Sequence, residues 1–265
     1  MTNLQAIILA IVQGLTEFLP ISSSGHLVLV PHFFAWADQG LAFDVAVHFG
    51  SLLAVLAFFR NDIFALIRGG VQVLGGKVET VESRLALGIA LGTVPAAIAG
   101  LLLVDWIEAN LRSPSVIVLT LSGYAVLMIL ADRLGRRERG ISQVTLRDAV
   151  IIGLAQALAL VPGTSRSGVT ITAARFLGLE RQDAARFSFL LAVPVILLAT
   201  LFSLIGLLAS DDAVAWGQLT TGVAVSAIVA YLSIEFFMRF VSTLGLLPFA
   251  IYRLVLAAVI VYVLL

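Results

Sequence analysis

QGLTEFLPISSSGH, residues Gln13–His26, sets a carboxylate, three serines, a glycine and a histidine inside a chain that is otherwise nearly all hydrocarbon. Gln13 and Glu17 are four apart, so a helical turn puts them on one face. Pro20 removes a backbone donor and stops that helix. Ser22, Ser23 and Ser24 follow, Gly25 frees the backbone to turn, and His26 closes the stretch. An ionisable residue at such a place is a functional hypothesis by default, because hydrocarbon penalises it heavily.

The surrounding composition is that of an integral membrane protein. Of 265 residues, 60% are hydrophobic and 12% charged, and the mean hydropathy is +1.09. Soluble domains are about half apolar and a quarter charged. Formal net charge is +0, so bulk charge points to no nucleic-acid partner. With 0 cysteines, disulfides, thiolate zinc sites and thiol nucleophiles are excluded. The first residues, MTNLQAIILAIVQ, lack the basic region of a cleavable signal peptide.

Ten apolar runs follow one another: 3–18, 25–36, 42–59, 85–104, 114–131, 148–161, 167–178, 185–208, 218–238 and 246–264. Crossing the hydrocarbon takes about 20 helical residues. Six runs approach that length: 42–59, 85–104, 114–131, 185–208, 218–238 and 246–264. The four short ones form two pairs, one flanking Pro20–Ser24 and the other Pro162–Ser167. A short helix, a polar turn and a second short helix read as a re-entrant hairpin, tolerated at membrane depth where protein or a water-filled cavity shields it. The two hairpins also resemble each other. Shifted by 143 positions, Gln13 meets Gln156, Leu15 meets Leu158, Ser22 meets Ser165, Ser24 meets Ser167 and Gly25 meets Gly168.

The expected fold is therefore an all-α integral membrane protein, an inverted-topology repeat with six transmembrane helices and two re-entrant helix hairpins. Its halves, 1–134 and 145–265, each carry one hairpin and three spans within a single membrane domain. Charge orients it. If Leu41 onward runs inward, the inner segments hold 13 of the 16 Lys+Arg, and the outer loops around Ala35–Gly40, Asp105–Ser113 and Ser210–Gly217 hold only Arg112. The positive-inside bias supports that orientation. Three spans per half make the halves opposite in direction, so the two hairpin tips can meet.

The second tip reads PGTSRSG, Pro162–Gly168. Arg166 is a permanent planar cation suited to phosphate. Thr164, Ser165 and Ser167 add hydroxyls, Gly163 and Gly168 let backbone amides approach an anion, and a helix is expected just after Gly168, where helix starts attract anions. Pooled with Glu17, Ser22, Ser23, Ser24, Gly25 and His26, the set suits phosphoryl transfer, in which positioning and charge neutralisation supply most of the catalysis. The expected catalytic residues are Glu17, Ser23, His26 and Arg166: Arg166 on the phosphoryl oxygens, Ser23 or a water attacking phosphorus, His26 as base or acid. Glu17 accepts a proton or binds a divalent cation with Gln13 as a neutral oxygen ligand.

QGLTEFLPISSSGH and PGTSRSG, in this order and in a chain of this length, resemble the undecaprenyl-pyrophosphate phosphatase family, also called the bacitracin-resistance proteins. FDVAVHFGSLLAV (Phe43–Val55) and RFSFLLAVPVI (Arg186–Ile196) extend the resemblance along the chain. It implies a hydrolase of the bacterial inner membrane that removes the terminal phosphate of undecaprenyl diphosphate. That recycles the lipid carrier of cell-wall synthesis and confers bacitracin resistance. It also implies a divalent cation (Mg2+ or Ca2+) and an active site on the outer, periplasmic side. The family's Glu/Gln-x-x-x-Glu motif falls on Gln13 and Glu17, and its serine and histidine on Ser23 and His26. Many relatives carry Glu where Gln13 stands, so here Glu17 bears more of the metal site. The expected partners are a polyprenyl diphosphate and membrane lipids; a homodimer is left open.

Blander readings compete. Glu17 and Arg166 can be a buried ion pair that only fixes the fold, and Ser22–Ser24 can be small residues that let helices pack closely. His48, four residues after Asp44, reads as a structural hydrogen bond. Gly88 and Gly92 read as helix packing. Asp132, Glu235 and Arg239 read as residues snorkelling to the interface. The rival function is a transporter or lipid flippase that binds an anion on the same broken helices without cleaving it.

Overall fold

A computed structural model describes residues 1–37, 39–209 and 215–264. Part of the expected outer loop at Ser210–Gly217, residues 210–214, lies outside them, as does Asp38. The described residues form eleven α-helices and no strand: α1 (Asn3–Thr16), α2 (Ser23–Phe33), α3 (Leu41–Phe58), α4 (Arg60–Leu74), α5 (Val81–Asn110), α6 (Pro114–Leu134), α7 (Leu146–Ala157), α8 (Arg166–Phe176), α9 (Arg181–Ala209), α10 (Trp216–Leu244) and α11 (Leu247–Leu264). Five of them, α5, α6, α9, α10 and α11, are long and apolar enough to cross a membrane; α3 and α4 together make a sixth candidate, bent by 87° at Phe59.

All ten apolar runs are helical, and one helix has no counterpart among them. Residues 60–74, expected as an inner loop, form α4. Its apolar residues alternate with Arg60, Arg68 and two glycines, so it is no membrane run, yet Phe64, Ile67, Val71 and Leu74 make an exposed stripe at helical spacing. The helix starts are local chemistry. Thr2 and Thr145 form capping boxes with Gln5 and Asp148, and Thr80 and Ser113 cap α5 and α6 with their hydroxyls.

Close packing uses small residues. A Cβ on Gly50 would lie 2.4 Å from the Val223 carbonyl, and one on Gly14 2.9 Å from the Ala230 amide, so α1 and α3 both press onto α10. Ser226 Oγ donates to Val47 O at 2.7 Å across the same contact. Gly88 and Gly92 play the packing role expected of them, against α7: a Cβ on Gly92 would lie 2.9 Å from Ala149 O and one on Gly88 3.2 Å from Ala149 Cβ, and on the α7 side a Cβ on Gly153 would meet Gly92 O at 2.3 Å. α6 packs on α11, and α9 on α3 and α5. A core of Phe18, Phe59, Phe187, Phe189 and Phe237 fills the centre.

Asp132 is not a snorkelling residue. It is buried, and Arg181 donates to both its oxygens at 2.7 Å, with the Leu246 amide at 3.3 Å. Wholly buried Arg175 adds a contact at 3.6 Å. This knot ties α6, α8, α9 and the α10–α11 junction at one end of the bundle. Nearby, Arg186 pairs with Asp62, and Arg139 holds Asp148 at 2.5 Å.

Candidate active site

The site begins where two helices break. α1 ends at Thr16, four residues before Pro20, and α2 starts at Ser23; α7 runs through a short 3-10 turn, Leu158–Leu160, into a loop that ends where α8 starts at Arg166. Both new helices start earlier than the glycines suggested. Ser22 and Ser165, not Gly25 and Gly168, make the turns into these helices, at φ 77° and 70°. Each serine then caps its helix: Ser22 Oγ accepts from Gly25 N at 3.4 Å and Ser165 Oγ from Gly168 N at 3.2 Å. Ser24 Oγ lies 3.4 Å from Ser22 Oγ, and Ser167 Oγ 3.3 Å from Ser165 Oγ. Of the residues shared between the two sequence stretches, the two serines and the glycine are thus one capping device used twice. A left-handed φ is unfavourable for a side chain, but glycine has no hydroxyl to cap with.

The two turns touch. Ser167 Oγ donates to Leu19 O at 3.1 Å. Wholly buried Arg253, on α11, reaches the first turn at Pro20 O (3.4 Å) and the second at Gly163 O (3.0 Å) and Thr164 O (3.1 Å), with two α6 carbonyls, Thr120 O and Leu121 O, completing its donors. Thr120 Oγ1 donates to Pro162 O at 2.7 Å. Gly163, at φ +85°, faces that threonine, and a Cβ there would lie 2.3 Å from its hydroxyl. Gly163 is therefore required by packing against α6.

Glu17 is the hub. Its Oε1 takes Arg166 Nη2 at 2.8 Å. Its Oε2 accepts from Ser23 Oγ at 2.8 Å and from Gln13 Nε2 at 2.9 Å, as the i,i+4 spacing predicts. Glu17 and Gln13 are buried, while Ser23 is partly exposed. Arg166 also donates to Ser188 O at 3.3 Å and lies over the Phe18 ring at 5.5 Å. Carboxylate, hydroxyl and guanidinium thus meet within hydrogen-bond distance across 149 residues of sequence.

His26 points elsewhere. Its Nδ1–H donates to Ser22 O at 2.7 Å, which leaves Nε2 to accept from Tyr252 OH at 2.6 Å, with the two rings stacked. Neither nitrogen bonds Ser23. The imidazole that faces the hub is His48, on α3: its Nε2 is 3.5 Å from Glu17 Oε2, while Nδ1–H makes the expected bond to Asp44 O at 2.6 Å. The sequence carried a signal for His48, a histidine within an apolar span, but nothing that aimed its second nitrogen at residue 17. Thr164 Oγ1 and Gln13 Oε1 are buried without a hydrogen-bond partner. Among the described residues no three His, Cys, Asp or Glu side chains converge as a metal cluster. The available donors for a cation are instead Glu17, the orphaned Gln13 Oε1, Ser23 Oγ and His48.

Residues 6–259 match the model of a family described as bacitracin resistance protein BacA. A protein named undecaprenyl-diphosphatase in Hahella chejuensis is 53% identical over 97% of this chain and 97% of its own length. One named undecaprenyl-diphosphatase 2 in Stutzerimonas stutzeri is 51% identical over 98% and 97%, and another undecaprenyl-diphosphatase, in Alteromonas mediterranea, is 50% identical over 99% and 98%. Likeness of that depth, unbroken from the first capped turn past the second, makes this chain a member of the bacitracin resistance protein BacA family.

Proposed function

We propose that the chain is an undecaprenyl-diphosphate phosphatase: it hydrolyses undecaprenyl diphosphate to undecaprenyl phosphate and inorganic phosphate, recycles the lipid carrier for cell-wall synthesis and confers bacitracin resistance. The observation that carries the reading is the hub in which Glu17 holds Ser23 Oγ at 2.8 Å and Arg166 at 2.8 Å. Glu17 takes the Ser23 proton as that oxygen attacks the terminal phosphorus. Arg166 neutralises the phosphoryl oxygens, and the bond from phosphorus to the bridging oxygen breaks to release the prenyl phosphate. Water then cleaves the phosphoserine; in the alternative course Glu17 activates water directly. Thr164, whose Oγ1 is unpartnered, and the amides at the starts of α2 and α8 line the place for the anion. Ser22, Ser24, Ser165, Ser167, Gly25 and Gly168 hold those helix starts in position.

The donor set fits a divalent cation, Mg2+ or Ca2+, because Gln13 Oε1 is buried with no other partner. Glu17 and Gln13 would hold it. Bound, the ion would neutralise diphosphate charge that one guanidinium leaves unbalanced.

The architecture we infer is an inverted repeat of residues 1–134 and 145–265, six spans and two re-entrant hairpins. Reciprocal packing supports it. With α1, α2, α3, α5 and α6 set against α7 through α11 in order, α1 packs on α10 as α7 packs on α5, and α3 on α10 as α9 on α5. α3 with α9 and α6 with α11 are pairs of counterparts. The charge distribution supports a plasma-membrane protein whose site opens to the outer side.

The test is release of inorganic phosphate from a polyprenyl diphosphate by the purified protein in detergent. Arg166→Ala and Glu17→Gln should lower turnover on the order of 10³-fold or more, and Ser23→Ala similarly if the serine attacks. Binding of the lipid without phosphate release by the unsubstituted protein would overturn the reading in favour of a carrier.

A further inference from the structure

His48 and Glu17 face each other in a way that neither explains alone. With Nδ1–H committed to Asp44 O at 2.6 Å, the neutral ring carries its lone pair on Nε2. That lone pair lies 3.5 Å from carboxylate oxygen Oε2. Two acceptors at this separation need a positive species with them. An imidazole pinned through its other nitrogen to a backbone carbonyl is also how ligating histidines are held. The adjacent amide is pinned as well: Gln13 donates Nε2 to the same Oε2 at 2.9 Å, so its orphaned, buried Oε1 stays in this cluster. Arg166 occupies the other carboxylate oxygen, at 2.8 Å. The His48 side chain is 32% exposed against 5% for Glu17, so the imidazole, unlike the carboxylate, is open to the surroundings.

We propose that His48 Nε2, Glu17 Oε2 and Gln13 Oε1 together ligate the divalent cation of this protein. The third ligand is then a nitrogen, and the site prefers ions that accept imidazole, such as Mn2+, over Ca2+, which takes oxygen ligands. The proposal rests on reading the cleft as a diphosphate-hydrolysing site, but its test does not use hydrolysis.

Mn2+ is added to the purified full-length protein in detergent and followed by electron paramagnetic resonance. The unsubstituted protein should bind Mn2+ with pulsed-resonance modulation from one directly bound 14N. His48→Gln should abolish that modulation and weaken Mn2+ about tenfold or more, while Ca2+ binding, read by calorimetry, changes less than threefold; retained Ca2+ binding also reports a folded site. His26→Gln should keep the modulation. Absence of Mn2+ binding, absence of 14N modulation in the unsubstituted protein, or its persistence in His48→Gln would each overturn the proposal. The last two patterns, seen in a protein that still releases phosphate from the lipid, would leave the phosphatase reading standing and show His48 to be an ion-pair partner of Glu17.

Discussion

Ser22 and Ser165 do two incompatible things, holding a left-handed backbone and capping a helix, and only serine-like side chains offer both. Replacing Ser165 with Ala keeps the φ strain and loses the cap, whereas Gly loses the cap but relieves the strain. Ser165→Ala should therefore lower stability by about 1–2 kcal/mol and Ser165→Gly by less, read as thermal midpoints in detergent. Arg253 is the residue-scale surprise. Its run, 246–264, is otherwise a span, and the five carbonyls it gathers come from α6 and both turns. Arg253→Met should cost about 3 kcal/mol or more, because those carbonyls lose their donor inside the protein, and Arg253→Lys should recover only part. At the bundle's edge, burial pushes the Asp148 carboxyl up, but hydrogen bonds from Arg139 and Thr145 outweigh it and hold it below the usual aspartate range. A depressed carboxyl contributes stability that is present above its unfolded value, about 3.9, and is lost as pH falls through the folded one. The thermal midpoint should thus fall with acid below about pH 4, and Asp148→Asn should flatten that part of the curve.

At the scale of elements, apolar runs found every described helix but α4, the most strongly two-faced of them. α4 alternates lipid-compatible and polar faces, and Gly69 serves packing: a Cβ there would lie 2.2 Å from Glu82 O on α5. Hydropathy averages such a helix away, while its periodicity keeps it. Nitroxide labels at Ile67 and Val71 should collide readily with oxygen, which partitions into the hydrocarbon, and poorly with a water-soluble nickel complex; the reverse pattern would place this stripe in water. The hairpin breaks were legible for an opposite reason. Proline beside a cluster of serines and glycine breaks the apolar pattern, so it marked where helices end, but it located each helix start two or three residues late because Ser22 and Ser165, rather than Gly25 and Gly168, make the turn into the helix.

Across the whole molecule, Asp132 joins α6, α8, α9 and the α10–α11 junction at one end and Arg253 gathers both turns toward the middle, so the bundle is fastened by buried charge where hydrocarbon offers no hydrophobic drive between helices. Asp132→Asn leaves Arg181 and buried Arg175 without their carboxylate and should destabilise by about 3–5 kcal/mol, visible as aggregation on mild heating in detergent. The sequence by itself determined the membrane class, the helical runs and the polar set at Glu17, Ser23 and Arg166, because polar groups in hydrocarbon are conspicuous and helical spacing relates Gln13 to Glu17 directly. Which polar groups meet was a tertiary matter. The turns lie 149 positions apart at Glu17 and Arg166, and no local rule tells His26 to turn toward Tyr252 while His48, on another helix, faces the carboxylate. Periodicity sets which side of a helix a residue occupies, but only the packing of α3 and α11 around the two turns decides which neighbour it finds there.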